Sequence, residues 1–323
     1  MTGDGVSIQT SDSIVNHGGL IDGANGRTLL VAGQDIVNQG GAIKGGAVGL
    51  QAGGDVLNQS LTVKQEYASV NTSGSYTTLS NQASITAGGA LAIKAGRDVT
   101  DTGGTIAGAS VGMVAGRDVN FNALQTGSAY ASQVAGFTEK DSATTYKTGQ
   151  VASGGDLKLV AGQDIKLSGT QVAIGAAGNG TLLAGRDVTV SAVVNEVNIS
   201  KQNDPGSKLY DKEIRQNQSV VGASASGDVV TQVGSLLSGG SVSASSGRDT
   251  VIRGSTVVAD KDIRALLIMA GRRCLPERHG WEYHTFFNGR CHDENCELPF
   301  GINGASAGAG HLEHGRGIRP QER

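Results

Sequence analysis

The first 270 residues of this 323-residue chain contain no cysteine, since Cys274, Cys291 and Cys296 are the only three. A disulfide framework is therefore excluded over most of the molecule, and the redox compartment cannot be read from it. Aromatic residues make up only 4%, so the wide Leu/Phe/Trp interior of an ordinary globular enzyme is not expected. No run approaches 18 apolar residues, which rules out a membrane-spanning helix. The opening "MTGDGVSIQT" has neither a basic nor an apolar leader region, so no signal peptide is expected here. Charge of one sign is missing too. The 26 basic and 29 acidic residues leave a formal net charge of −3, which argues against a nucleic-acid surface.

What is abundant is glycine. The 51 glycines are roughly twice the usual ~7% share, and they fall in a repeat. "AGRDV" is spelled three times, at Ala95–Val99, Ala115–Val119 and Ala184–Val188, with relatives at Ala32–Ile36, Ala52–Val56, Ser153–Leu157 and Ala161–Ile165. Weaker echoes stand at Ala225–Val229, Ser246–Thr250 and Ala259–Ile263. A second element, apolar-x-Asn/Asp-x-Gly-Gly-x-Ile-x-Gly, recurs at Ile14–Gly23, Ile36–Gly45 and Val99–Gly108. Short bursts of alternating apolar residues, punctuated by Gly, Asn and Asp at a period near 20, describe strands and corners rather than helices. One such unit cannot bury its apolar side alone, so units must stack. The expected fold is all-β, a parallel β-helix of about ten rungs and on the order of 50 Å. Its narrow interior suits Val, Ile, Leu and Ala, and glycines serve corners where φ is positive. Three polar segments, about Ser60–Gln82, Phe121–Gln150 and Ser191–Ser224, hold five of the six tyrosines. They read as hairpins or loops that leave the coil.

The Asn-x-Gly-Gly-x-Ile unit followed by Ala-Gly-x-Asp resembles the filamentous haemagglutinin repeat of large two-partner-secreted proteins. Beyond about residue 83 the units resemble the family's second, haemagglutinin-type repeat. The resemblance covers most of residues 3–263. It implies a right-handed β-helix, the stalk of an exported adhesin or of a contact-dependent growth-inhibition toxin. In such toxins the second repeat region is associated with passing the toxic tip into the target cell. The implied partners are a target-cell receptor or glycan and an outer-membrane transporter, and the parent is secreted or held at the cell surface. The family's Asn-Pro-Asn-Gly transport motif and Val-Glu-Asn-Asn pretoxin boundary are not found, so an internal piece of a longer protein, or a degraded gene, is expected.

Candidate chemistry is sparse. Arg97, Asp98, Arg117, Asp118, Arg186 and Asp187 could form a binding or catalytic ladder, as clustered Asp and Arg do on β-helical polysaccharide lyases. The residue before the Asp varies between Gln, Gly, Arg and Lys, however, and the motif recurs in nearly every rung. A catalytic site needs one special constellation. The reading adopted is a corner in which Asp bonds backbone N–H groups and the preceding residue points to solvent. Gly104–Gly116 and Gly175–Gly180 lack the Gly-Lys-Ser/Thr of a phosphate loop, and the Asp spacing fits no calcium motif. No catalytic, cofactor or metal residue, no small-molecule substrate and no enzyme activity is therefore assigned.

Residues 264–323 differ, holding all three cysteines, five of six histidines and Trp281. Cys274, His279, His284, Cys291, His292 and Cys296 could ligate a metal, and His279, His284 or His292 could serve a toxin nuclease. No Cys-x-x-Cys pair or known nuclease motif supports either. The division expected is a repeat region over 1–263 and a frameshifted or unstructured tail over 264–323. The rivals are a β-helical carbohydrate-active enzyme and a C-terminal metal or toxin module. Exposed strand edges also predict poor solubility for the isolated chain.

Overall fold

The computed structural model describes residues 2–134, 137–203, 224–269 and 272–274. Their strands wind into a three-faced parallel coil. Each rung supplies one strand to each face, as Arg27–Ala32, Ile36–Gln39 and Ala42–Gly45 do in the second rung. The second face is a sheet of eight parallel strands running from Ile14–His17 to Thr250–Arg253. The first and third faces are joined into one sheet by Leu236–Ser246. That long strand pairs with Thr170–Ile174 on the third face, turns the corner, and pairs with Asn179–Ala184 on the first. Thr256–Met269 follows the same bend one rung later.

There are thus eight full rungs and the start of a ninth, about 40 Å at ~4.8 Å each, rather than ten. The shortfall has a physical cause, because three of the aligned Gly-x-Asp echoes are not the same corner. Asp156 lies at the turn from the third face into the next rung, where it accepts a hydrogen bond from Asn179 N (2.8 Å). Ala259–Ile263 occupies the equivalent turn inside Thr256–Met269. Asp228 belongs to Ser224–Val233, a strand outside the coil.

The register is strict, so inward positions form columns. Ile8, Leu30, Leu50, Ile93, Met113, Leu159, Leu182 and Ala244 stack on the first face. Ile21, Ile43, Ile85, Ile106, Val151, Val172, Leu237 and Val257 stack on the third. Leu30, Ile43, Met113 and Leu159 are fully buried, each contributing about 1.5–3 kcal/mol by removal from water. Along most strands of the coil, burial alternates as a period of two requires, for example in Ala90–Ala95.

The three polar segments are hairpins, as the sequence suggests, and they do not hang separately. Leu61–Ala68 pairs with Thr72–Asn81, and Thr72–Asn81 with Leu124–Val134. Leu124–Val134 then pairs with Phe137–Lys147, which pairs with Val193–Asn203, and that strand with Ser224–Val233. The result is a six-stranded antiparallel fin beside the coil. Phe121, placed in the second excursion by sequence, instead fills the core.

Candidate functional site

Two polar ladders run along the coil, one at each end of the second face. The outer ladder is the Ala-Gly-x-Asp corner. Each Asp accepts a hydrogen bond from the backbone N–H of the Asp one rung on. Asp35 receives Asp55 N at 2.7 Å, Asp55 receives Asp98 N at 3.0 Å, and Asp98 receives Asp118 N at 3.1 Å. Asp118, Asp164 and Asp187 continue to Asp164 N, Asp187 N and Asp249 N. The glycine of the motif is needed here for close approach. A Cβ on Gly53, Gly96, Gly116 or Gly162 would overlap the carbonyl oxygen of the equivalent glycine one rung back.

The arginine before the Asp does not point freely to solvent. It folds back and forks onto the previous rung's carboxylate. Arg97 donates through Nε (3.1 Å) and Nη2 (2.9 Å) to Asp55 and reaches Asp35 at 3.2 Å. Arg117 holds Asp98, Arg186 holds Asp164 and Arg248 holds Asp187 in the same fork. These guanidinium contacts hold the Asp98, Asp164 and Asp187 carboxyls below their usual range. The six sequence candidates Arg97, Asp98, Arg117, Asp118, Arg186 and Asp187 are thus brought onto one edge. They are strung along the coil on separate rungs, each Asp accepting from the next rung's N–H and each Arg donating to the previous rung's carboxylate. An acid or base for neutral pH needs a pKa near the working pH, and Asp98 and Asp187 are pushed away from it.

The inner ladder is buried. Asn16 Nδ2 donates to Asn38 Oδ1 (2.8 Å), Asn38 Nδ2 to Asn58 Oδ1 (2.7 Å), and Asn58 Nδ2 to Asp101 Oδ1 (2.6 Å). This accounts for Asn-x-Gly-Gly. The first glycine takes a left-handed φ, +65° at Gly18, +59° at Gly40 and +60° at Gly103. The second leaves room for the amide, since a Cβ on Gly19, Gly41 or Gly104 would overlap the ladder side chains. Past Asp101 the column turns apolar, through Phe121, Leu167, Val190 and Ile252. The second glycine then disappears, leaving Gly169–Thr170 and Gly254–Ser255. Burial raises the Asp101 carboxyl to about 7, against the opposing hydrogen bonds from Asn58 and Gly104 N (3.2 Å). This near-neutral acid was missed by sequence reasoning, although Asp in place of Asn within the repeat was a visible signal. It is fully buried, where no substrate can reach it.

Among the described residues, no group of three or more His, Cys, Asp or Glu side chains could hold a metal ion, and no helix is long and apolar enough to cross a membrane. The backbone of Cys274 ends the short strand Arg272–Cys274. His279, His284, Cys291, His292 and Cys296 lie outside the described residues.

The hemagglutinin repeat family model matches residues 58–137 and 137–266. A tRNA nuclease CdiA-2 of Burkholderia pseudomallei is 29% identical over 282 residues, covering 80% of this chain and 9% of the relative. A 16S rRNA endonuclease CdiA of Enterobacter cloacae is 34% identical over 157 residues, 46% of this chain and 4% of the relative. A tRNA nuclease CdiA of Yersinia mollaretii is 30% identical over 178 residues, 50% of this chain and 6% of the relative. The chain therefore spans less than a tenth of the curated relatives it matches. No solved structure matches it. A coil whose corners repeat rung by rung, matched by this model across more than half its length, places the chain in the hemagglutinin repeat family.

Proposed function

We propose that this chain is a length of non-enzymatic stalk in a long exported protein of the adhesin or contact-dependent-inhibition type. The observation that carries the reading is the corner ladder. Its aspartates accept the next rung's N–H at each successive rung, and four arginines fork onto the previous rung's carboxylate, which stiffens a rod and presents no unique constellation. The parent's partners would be a target-cell receptor or glycan and an outer-membrane transporter, and the parent would be secreted or surface-held. The nuclease names of the relatives belong to proteins of which the match to this chain covers only 4–9%. We read residues 1–263 as the stalk repeat region, its last strand carrying coil pairing a few residues further, to Leu267, and the remainder of 264–323 as a tail with no metal or toxin module assigned.

The test is turnover by the purified chain. Incubation with tRNA and with a panel of bacterial and host glycans should give no product. Cleavage of any of these that is lost on Asp98→Asn or Arg117→Ala would overturn the stalk reading in favour of a β-helical enzyme.

A further inference from the structure

The fin follows a simple tiling rule. A hairpin is two strands wide, and hairpins leave the coil from every second rung, at Leu61, Leu124 and Val193. Two rungs rise by about two strand spacings, so consecutive hairpins meet edge to edge as one sheet. The intervening rungs turn the same corner tightly, at Gly40, Gly103 and Gly169, and each of these glycines packs against the base of the next hairpin.

At the low-numbered end the rule leaves an open edge. The position beside Leu61–Ala68 would belong to a hairpin from the first rung, but that rung turns tightly at Gly18–Gly19. A hairpin leaving two rungs further upstream would fall two strand widths short. The edge therefore cannot be covered in cis by the coil's own rule. From Thr62 to Ala68 every residue is exposed.

We propose that Leu61–Ala68 pairs with the same strand of a second copy of this chain, antiparallel about a two-fold axis at Gln65. The register is selected by charge. Centred at Gln65, Lys64 faces Glu66 of the partner subunit and Glu66 faces Lys64 of the partner subunit on one face of the sheet. On the other face, Val63 meets Tyr67 of the partner subunit. Shifting by two residues either way sets Glu66 against its own copy or Lys64 against its own copy, and like charges directly opposite are destabilising. Lys64 and Glu66, which pair with each other along the strand at 2.5 Å, are 58% and 68% exposed and can turn to the partner subunit's charges, and Val63 and Tyr67 are 40% and 47% exposed, so all four are accessible. Such main-chain pairing at a free edge is a general mode of association.

Sedimentation of the full chain with Lys64→Glu, Glu66→Lys and the double exchange tests this. The wild type should form a dimer. Each single change sets like charges opposite at both symmetric positions and should weaken the dimer by at least about tenfold. The double exchange should restore it. A wild type that stays monomeric overturns the proposal. So do single variants that dimerise as well as wild type, the result expected if copies join through the ends of the coil. A double exchange that fails to recover the dimer overturns it as well. All four side chains being exposed, circular dichroism should be unchanged throughout.

Discussion

Asn58 Nδ2 lies 2.6 Å from Asp101 Oδ1, and that contact is where a buried amide column meets its single acid. Asp101 titrates at about 7 in the fold against roughly 3.9 in an unfolded chain. The folded state then binds the proton more tightly than the unfolded state. Stability should be greatest below about pH 4 as far as this group is concerned, decline as pH rises between 4 and 7, and level off above. The full difference is on the order of 4 kcal/mol. Asp101→Asn removes the titration and extends the amide column. Urea unfolding should show the variant more stable than wild type at pH 8–9 by about 1–3 kcal/mol, with the gap closing by pH 5.

The corner carboxylates act in the opposite direction. Guanidinium contacts lower Asp98, Asp164 and Asp187, so their stabilisation is present above about pH 4 and is lost as pH falls through the lowered values. Together with Asp101 this gives a stability maximum in the mildly acidic range. A chain whose midpoint rises steadily from pH 4 to 9 contradicts the assignment.

Within one corner, the acid outweighs the base. Asp98→Ala leaves Asp118 N–H without its acceptor and should cost about 1–2 kcal/mol. Arg117→Ala should cost less, because Arg117 is exposed and its pair is screened by salt. In high salt the arginine variant should unfold with wild type while the aspartate variant does not.

Glycine position decides tolerance. Gly41→Ala pushes a Cβ into the Asn16 and Asn38 amides and should cost about 2–4 kcal/mol. At Gly112 a Cβ meets nothing within 4 Å, and Gly112→Ala should be neutral or slightly stabilising by thermal melting.

The tiling rule also predicts a viable deletion. Replacing residues 60–83 by Gly-Gly converts a hairpin rung into a tight rung of the Gly40–Gly41 kind. The coil should still unfold cooperatively. Loss of the cooperative transition would show that the hairpin is part of the coil's core.

Much of the coil was legible because its information is local. Ala95-Gly96-Arg97-Asp98-Val99 and Asn38-Gln39-Gly40-Gly41 each encode a corner within five residues, and stacking only repeats them. What escaped depends on rung-to-rung contacts with no signature in the segment itself. The fork of Arg117 onto Asp98 joins residues 19 apart, and the pairing of Tyr76 with Ser128 joins two separate hairpins. Sequence similarity also merged distinct corners. Asp156 shares the Gly-x-Asp spelling with Asp164 yet sits at a different turn, because both corners ask for a small residue and an acceptor. The buried role of Asp101 was hidden for the same reason, since Asn and Asp are interchangeable as turn formers but not as buried groups.

The central claim is a coil in which equivalent residues climb one strand spacing per rung, and it is most directly tested by spin-label distances. Val15, Val37, Leu57, Thr100, Asn120, Lys166, Thr189 and Val251 form one outward column on the second face. With the three natural cysteines replaced, labels at Val15 and Lys166 are five rungs apart, and labels at Val15 and Val251 are seven apart. Double electron–electron resonance should give distances near 24 and 34 Å, ~4.8 Å per rung. Distances that fail to grow with rung number would contradict the stacked coil.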